Sequence, residues 1–525
     1  MPDRRSPRLV VAGTVAVAVA LAVAFLLAPP MGTDLSAQVA RAGFFDRYGF
    51  APLDFGWYGG VSPYGYSLIS PPMMSLLGPR VTGALAAVVS AVALVLLFLR
   101  TGARRPLLGG VLGAVCVVGN LVSGRVTYAV GVAFGLLALL ALTSARPWLR
   151  GPGAVAAAAL AAAASPVAGL FTGLAGVALA LSDRSRWRGG AAVAAGAAVP
   201  LAVMALLFGD GGWMNISALD ALRAGTVSLA VALLVPRRPV RVGALLSALG
   251  VAAAFALHTP VGLNATRLAA MFALPLLAAY GRLPTRLAGA RRRAALLAAV
   301  LLLVAVWQPP VSRTDLAAAG DPTAARGYFQ PLLDELARRP AGRVEVVPTA
   351  NYWEAAYVPQ VAPLARGWLR QLDLARNGLF FDGTLDARSY ATWLHGNGVA
   401  YVAVAAARPS WVGRREAELI GGGLPYLREV WHDPRWRLYA VVDPTPVVGS
   451  PGRLVEVDAG GVTFTADRPG DVLVRVRWSR WLAVDGAGAC LAPAAQGWTT
   501  VRVTRPGRHV LSGRLWPGPR CGKVR

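Results

Sequence analysis

Lysine is almost missing from this sequence: of 52 lysine and arginine residues, only Lys523 is a lysine. Acidic residues number 26, which leaves a formal charge of +26. Such an excess would suit a nucleic-acid binder, but no basic module interleaved with aromatics occurs. The arginines stand instead in short connections between apolar runs, a topological pattern that argues against nucleic acid as a partner. Histidine is scarce at four residues, and there is no Cys/His cluster and no HExxH, so a zinc site is not expected. A glycine-rich phosphate loop and a serine nucleophile elbow are also lacking. The three cysteines say little: Cys116 lies in an apolar run and reads as a packing residue, while Cys490 and Cys521 near the C-terminus fit either a disulfide or two free thiols. Internal repeats are absent, and so is the doubling of six-helix halves that marks one large transporter class.

What the sequence does have is apolar length. It is 55% hydrophobic with a mean hydropathy of +0.52, so most of it is expected to be dissolved in lipid. Apolar runs at 9–28, 79–99, 106–122, 125–143, 153–165, 167–182, 190–208, 217–235, 242–258, 266–280 and 294–307 give about eleven candidate spans, the alanine-rich pair at 153–182 being the least hydrophobic. The first run has a basic head but no A-x-A cleavage site, and it reads as a retained signal-anchor helix.

Arginines set the orientation. Arg4, Arg5 and Arg8, then Arg100, Arg104 and Arg105, Arg146 and Arg150, Arg184, Arg186 and Arg188, Arg237, Arg238 and Arg241, and the run from Arg282 to Arg293 occupy every second connection. By the positive-inside rule those connections and the N-terminus are cytoplasmic. The 29–78 loop and everything after Val311 then lie outside, consistent with an odd number of spans. The expected fold is an α-helical polytopic membrane protein of the plasma membrane, with a C-terminal extracytoplasmic α/β plus β-sandwich region. Residues 1–310 form the transmembrane part, 311–447 an α/β domain with strands at RVEVVPT, VAYVAVAA and WRLYAVVD, and 448–525 a small β-sandwich.

The loop at 29–78 is the candidate functional centre, because connections between membrane helices usually run to a handful of residues and this one has about fifty. Asp34 follows the first helix closely, and a carboxylate at that depth, partly desolvated by the loop's own aromatics, suits a base acting on a sugar hydroxyl. It equally suits an N-cap of the helix DLSAQVARAGFFDRYG, and the two roles are compatible. Asp46, beside Arg47, and Asp54, in an aromatic turn, are further candidate acids, with a local ion pair and a turn contact as their plainer roles. Phe55, Trp57, Tyr58, Tyr64 and Tyr66 offer faces for sugars or isoprenyl chains, or else an interfacial aromatic belt. Arg125 and Arg267 stand at outer helix mouths against the topological bias, so each is a candidate clamp for a lipid phosphate, with snorkelling as the alternative. His258 and Asn264 flank Arg267 and join it. In the C-terminal part, Trp353 and Glu354 of NYWE are candidate substrate contacts, or simply part of a surface loop.

The segments DLSAQVARAGFF, WYGGVSPYGYSLISPP, NLVSGRVTYAVGVAFGLLAL and NATRLAAMF, together with the large first external loop and the exported C-terminal part, resemble the GT-C class of membrane glycosyltransferases. The likeness is to its actinobacterial arabinofuranosyl- and mannosyltransferases, and the arginine-for-lysine, Ala/Gly-rich composition suits such an origin. The resemblance implies a polyprenyl-phosphate-sugar donor, an envelope glycan or lipid acceptor, surrounding membrane lipids, and inversion at the anomeric carbon. It assigns Asp34 as base, Arg267 or Arg125 to the departing phosphate, and the loop aromatics to the sugars. Members often pair the acid with a second acidic residue, where this chain has Leu35 and Ser36, so no cofactor is fixed and a divalent cation, Mg or Mn, is the one the resemblance admits. The competing readings are a non-catalytic envelope scaffold and a transporter. A transporter predicts charged residues in mid-span, whereas these runs are almost purely Ala, Val, Leu and Gly.

Overall fold

The computed structural model describes residues 6–283, 289–516 and 518–522. Arg4, Arg5, Arg286 and Lys523 lie outside the described residues. The chain divides into two compact units: Met1–Gln38 with Tyr66–Ala319, and Val39–Gly65 with Gly320–Arg525. The long first loop is thereby shared, residues 39–65 belonging to the second unit.

The first unit is helical. It opens with α1 (Pro7–Leu27), followed by α2 (Leu35–Tyr48), whose body runs on into the second unit, and α3 (Ser70–Leu77). Next come α4 (Pro79–Arg100), α5 (Pro106–Val122), α6 (Val126–Ala141), α7 (Ala154–Ala164) and α8 (Pro166–Ser182). Then follow α9 (Trp187–Phe208), α10 (Ala218–Leu234), α11 (Arg238–Ala256), α12 (Arg267–Tyr280), α13 (Ala290–Trp307) and the short α14 (Arg313–Ala317). Proline in the first turn begins α1, α4, α5 and α8, where its missing N–H costs nothing. Ser165 ends the alanine-rich α7 and caps α8 by accepting from Ala168 N, which explains why one apolar stretch makes two helices.

The unit is a membrane protein by its apolar helices. Five segments are long and apolar enough to cross a bilayer: Pro7–Leu27, Pro79–Arg100, Trp187–Phe208, Arg238–Ala256 and Gly262–Tyr280, with four shorter apolar helices beside them. Helices coincide with all of the apolar runs, but α7, with 11 residues, rises only about 16 Å. In lipid no hydrophobic force presses helices together, so small residues must let backbones touch. A Cβ on Gly131 would stand 2.5 Å from the Ala168 Cβ, and one on Gly176 would stand 2.6 Å from the Gly190 carbonyl. Those contacts join α6 to α8 and α8 to α9.

The two ends of this bundle differ chemically. At one end Arg105 donates from Nε to Ala278 O at 2.8 Å and from Nη2 to Gly281 O, Arg237 donates to Thr101 O, and Arg100 donates to Thr143 Oγ1 at 3.0 Å. The arginine-rich connections there hold the termini of α4, α11 and α12 together. At the other end Arg80 closes the C-terminus of α1 by donating to Phe25 O and Ala28 O. Because α5 runs away from the arginine-rich end and α12 runs toward it, Arg125 and Arg267 both belong to this second end.

The second unit contains an α/β layer and two β-sheets. α15 (Arg326–Arg338) precedes β1 (Arg343–Val346), which pairs in parallel with β2 (Val399–Ala405). β3 (Leu427–His432) and β4 (Trp436–Val441) complete a sheet in the order β1-β2-β4-β3. The remaining strands are β5 (Gly452–Val457), β6 (Gly461–Ala466), β7 (Gly470–Val474), β8 (Leu482–Asp485), β9 (Ala489–Pro493), β10 (Thr499–Val503) and β11 (Gly507–Gly513). They form sheets β5-β6-β11-β8 and β7-β10-β9 around a core of Val462, Phe464, Val472, Val501 and Leu511, to which Leu53 and Phe55 of the first loop also belong. Cys490 on β9 is disulfide-bonded to Cys521, and Cys116 is buried and free.

Candidate functional site

Two glycines build the site in the first unit. Gly32 (φ +90°) precedes α2 and Gly124 (φ +76°) links α5 to α6, and the two loops lie directly against each other. A Cβ on Gly32 would stand 2.4 Å from Val122 O, and one on Gly124 would stand 2.3 Å from Leu35 N. No other residue type tolerates both the positive φ and the contact. Asp34 N then donates to Ser123 O at 3.1 Å, and Thr33 N donates to Asp315 Oδ1 at 3.4 Å. Asp34 is the residue before α2, and its carbonyl accepts from Gln38 N and from Gln38 Nε2. Gln38 Oε1 in turn accepts from Thr127 Oγ1, and Asn120 Nδ2 donates to Arg125 O at 3.2 Å. The backbone on either side of Asp34 and Arg125 is therefore fixed.

The side chains meet on that frame. Asp34 Oδ2 lies 3.4 Å from Arg125 Nε and 3.5 Å from an Arg267 Nη. These distances exceed the roughly 2.8 Å of a tight charge-assisted hydrogen bond. The Asp34, Arg267 and Arg125 side chains are 14%, 16% and 32% exposed, so solvent reaches the cluster. The Arg267 guanidinium stands over the Tyr128 ring at 5.3 Å. Tyr128 is buried on α6, three residues after Arg125, and its hydroxyl has no hydrogen-bond partner. Tyr66 also comes within electrostatic range of Arg267.

A second ion-pair group, in the second unit, shows what a structural one looks like. Arg366 grips Asp373 with two hydrogen bonds of 3.1 and 2.9 Å, reaches Glu416 at 3.2 Å and Glu345 at 3.6 Å, and all four are buried. Tyr390 donates to Glu416 at 2.8 Å, and Asn377 donates to Asp373 at 2.8 Å. One cation serves three carboxylates there, and burial followed by repulsion from Glu416 drives the Glu345 carboxyl well above its usual range. The Asp34 cluster differs from it: more cation than anion, no ion-pair contact shorter than 3.4 Å among the described residues, and partial exposure.

The sequence candidates separate accordingly. Asp34, Arg125, Arg267 and Tyr66 gather in the first unit. His258 is exposed and packs against Trp213 in a tilted arrangement, with ring centroids 4.4 Å apart and planes at 48°, and Asn264 is buried in the 3-10 turn before Arg267. Asp46 is exposed on α2 within the second unit. Asp54 accepts from Gly56 N at 2.8 Å, and burial pushes its carboxyl up to about 7. The aromatics expected to face sugars are packed into the second unit. Trp57 donates to Ala355 O at 3.1 Å, Tyr58 to Gly367 O at 2.7 Å and Tyr64 to Phe50 O, and all three rings are buried. Trp353 stacks on Tyr357, while Glu354 is buried and accepts from Thr349 N and Oγ1 at 3.1 and 2.6 Å. Desolvation raises its carboxyl to about 7. Tyr128 and Asp315 escaped the sequence reading. The i, i+3 spacing of Arg125 and Tyr128 was the available signal for the first, and the Ser-x-x-Asp cap at Ser312 marks Asp315 only as a helix start.

No protein family model and no curated protein matches the sequence. Among solved structures the chain is similar to an arabinofuranosyltransferase, AftD, from mycobacteria, at 20% identity and TM-score 0.49, over 89% of this chain and 41% of that one. A mutant form of the same protein gives 19% identity and TM-score 0.48 over 89% and 43%. A second class of that mutant gives 16% and 0.46 over 98% and 60%. The chain therefore spans 41% to 60% of the length of those proteins.

Proposed function

We propose that this chain is a glycosyltransferase that moves a sugar from a polyprenyl phosphate to a hydroxyl of an envelope glycan or lipid at the extracytoplasmic face of the plasma membrane. The observation that carries the reading is the carboxylate of Asp34 held loosely between Arg125 and Arg267 at the bundle end away from the arginine-rich connections. Arginine-rich connections mark a cytoplasmic side, which supports an extracytoplasmic cluster.

The chemistry follows from charge. A lipid phosphate entering the cluster offers oxygens to both guanidiniums, whose planar donors suit it better than one long contact to a carboxylate. Asp34 is released by that exchange and stands free as a base. The acceptor oxygen then bonds to the anomeric carbon as its proton passes to Asp34, while the bond from that carbon to the phosphate oxygen breaks with its electron pair. Arg125 and Arg267 balance the charge that grows on the phosphate. Phosphate leaves without protonation, so the cluster lacks nothing for want of the second carboxylic acid a glycosidase uses. One displacement inverts the carbon.

A divalent cation does not fit these residues. One carboxylate facing two guanidiniums repels a metal, and no group of three or more His, Cys, Asp or Glu suited to one exists among the described residues. No step needs it. The deciding experiment is transfer by Asp34→Asn in membranes, with binding of a polyprenyl phosphate measured alongside. Transfer should fall by about a hundredfold or more, with lipid binding kept or tightened because the arginines lose their internal anion. Transfer at the wild-type rate would overturn the proposal and favour a non-catalytic scaffold.

A further inference from the structure

In the second unit Arg343 lies within electrostatic range of both Arg475 and Arg477, and none of the three has an acidic partner among the described residues. Arg343 on β1 is buried, and it donates to Asn397 O and to Arg475 O. Arg475 follows β7 and donates from Nη1 to Pro446 O at 2.7 Å. Arg477, two residues on, donates from Nη1 to Gln496 O at 2.7 Å and lies 3.7 Å from the centre of the Trp498 ring. Arg343 stands 5.8 Å from the same ring, so Trp498 has a guanidinium from each residue beside it. The Gly59 carbonyl accepts from Arg477 N at 2.7 Å, and a Cβ on Gly59 would come 3.2 Å from Arg343 Nη2, which closes the group from the loop side.

The charge is unbalanced. Each described polar contact of these three side chains is to a backbone carbonyl, and their Nε–H groups are buried without a partner. Burial first, then Arg477 and Arg475, lower Arg343 to about 9, and burial with Arg376 lowers Arg477 to about 10. Like charges gathered in a partly dry place raise one another's cost unless an anion joins them. The Nη1 pins on Pro446 and Gln496 fix two guanidiniums in place, while the Nη2 ends of these half-buried side chains have no acceptor among the described residues. Donors held still before the ligand arrives lose little entropy on binding.

We propose that Arg475 and Arg477, backed by Arg343, form an oxyanion site on the second unit that takes a phosphate or carboxylate group. The group arrives on a soluble saccharide or on a lipid headgroup, and both sources present the same oxygens to the Nη2 ends. The site is separate from the Asp34 cluster and does not depend on the transfer reaction.

The test uses the full-length protein in phosphatidylcholine nanodiscs, titrated with inorganic phosphate and with glucuronate against chloride at equal ionic strength. Arg125→Gln/Arg267→Gln serves as the background, so that phosphate held by the lipid-phosphate cluster is removed from the titration. Saturable binding is expected, weakened at least about tenfold in Arg475→Gln/Arg477→Gln, as the loss of two charge-assisted donors implies. Arg475→Lys/Arg477→Lys keeps the charge and should bind with intermediate strength. A second arm replaces part of the phosphatidylcholine with phosphatidylglycerol. Arginine-dependent lipid retention with silent soluble probes identifies a headgroup, and soluble binding identifies a free anion. Absence of saturable binding in both arms, or a glutamine double variant that titrates as the parent does, overturns the proposal. An intact Cys490–Cys521 disulfide and an unchanged far-ultraviolet circular dichroism spectrum confirm that the variants are folded.

Discussion

Gly124 stands against Leu35 so closely that a methyl group on it would lie 2.3 Å from the Leu35 amide nitrogen. That contact sets Asp34 beside Arg125, because each charged residue is the immediate neighbour of one of the touching residues. Gly124→Ala combines a clash with a left-handed backbone, φ +76°. It should cost roughly 1–3 kcal/mol and lower transfer more than it lowers the melting temperature. Equal transfer and stability in the variant would mean that the two loops do not position the site.

Arg267 and Arg125 should differ in weight. Arg267 is 16% exposed and rests on Tyr128, while Arg125 is 32% exposed. Arg267→Gln should therefore weaken donor binding more than Arg125→Gln, by about tenfold or more for a charge-assisted pair in a partly dry site. Lysine at either place should recover part of the loss. Titration of a short polyprenyl phosphate into each variant measures the order, and the reverse order would assign the clamp to the outer arginine.

Tyr128 offers a sharper contrast. Its hydroxyl is buried without a partner, so Tyr128→Phe removes an unsatisfied group and should leave the free protein as stable or more stable, by about 0.5–1 kcal/mol. Tyr128→Leu also removes the ring beneath Arg267 and should weaken lipid-phosphate binding. Thermal melts in detergent and binding titrations on the pair separate hydroxyl from ring. If both variants behave alike in binding, the contact between Arg267 and the ring has no role in it.

Much of this was readable in the sequence, and the rest has physical reasons for being hidden. Arg125 and Arg267 stood out because the orientation read from the arginines put them on the outer side against the bias, so each needed another reason, a lipid-phosphate clamp or snorkelling. Asp34 stood out because it follows a span closely. Trp57, Tyr58 and Tyr64 were open to two readings, since an aromatic-rich loop looks the same whether its rings meet a ligand or line an interface, and only tertiary contacts such as Tyr58 to Gly367 show where the rings pack. Strand β3, LREVWH, went unnoticed because it lies at the sheet edge and alternates weakly between half-buried and exposed positions. Tyr128 hid inside an apolar run, where a tyrosine reads as packing.

Acidity should affect the second unit with a definite sign. Asp54 and Glu354 rise from ordinary values of 3.8 and 4.5 to about 7 on burial, and Glu345 moves in the same direction. The folded state therefore holds protons that the unfolded chain has released, and the stability these groups contribute is fully present below about pH 4 and lost as pH rises through 7. Between pH 6 and pH 8 Asp54 and Glu354 should each remove about 1 kcal/mol. Thermal melts across that window should fall with rising pH, and Glu354→Gln should flatten the slope. A melting temperature that climbs from pH 6 to pH 8 would contradict the assignment.

The disulfide gives the last prediction. Cys490 and Cys521 close a stretch with a sequence separation of 31, and by the chain-entropy argument such a link contributes roughly 3–4 kcal/mol. Cys490→Ser/Cys521→Ser should melt earlier than the parent under oxidising conditions and match it in excess reductant. Coincident melts before reduction would show that the link adds nothing to stability.

Residues 39–65 leave the ribosome long before the polypeptide that completes their core. Leu53 and Phe55 wait for β6, β7, β10 and β11, and at 5–20 residues per second the roughly 400–460 intervening residues take on the order of 20–90 s to synthesise. For that interval a greasy segment rich in phenylalanine and tyrosine has no finished home. Biogenesis of this protein therefore calls for something to shield the nascent segment, and a fragment that begins at Gly320 would be born with a hole where those side chains belong.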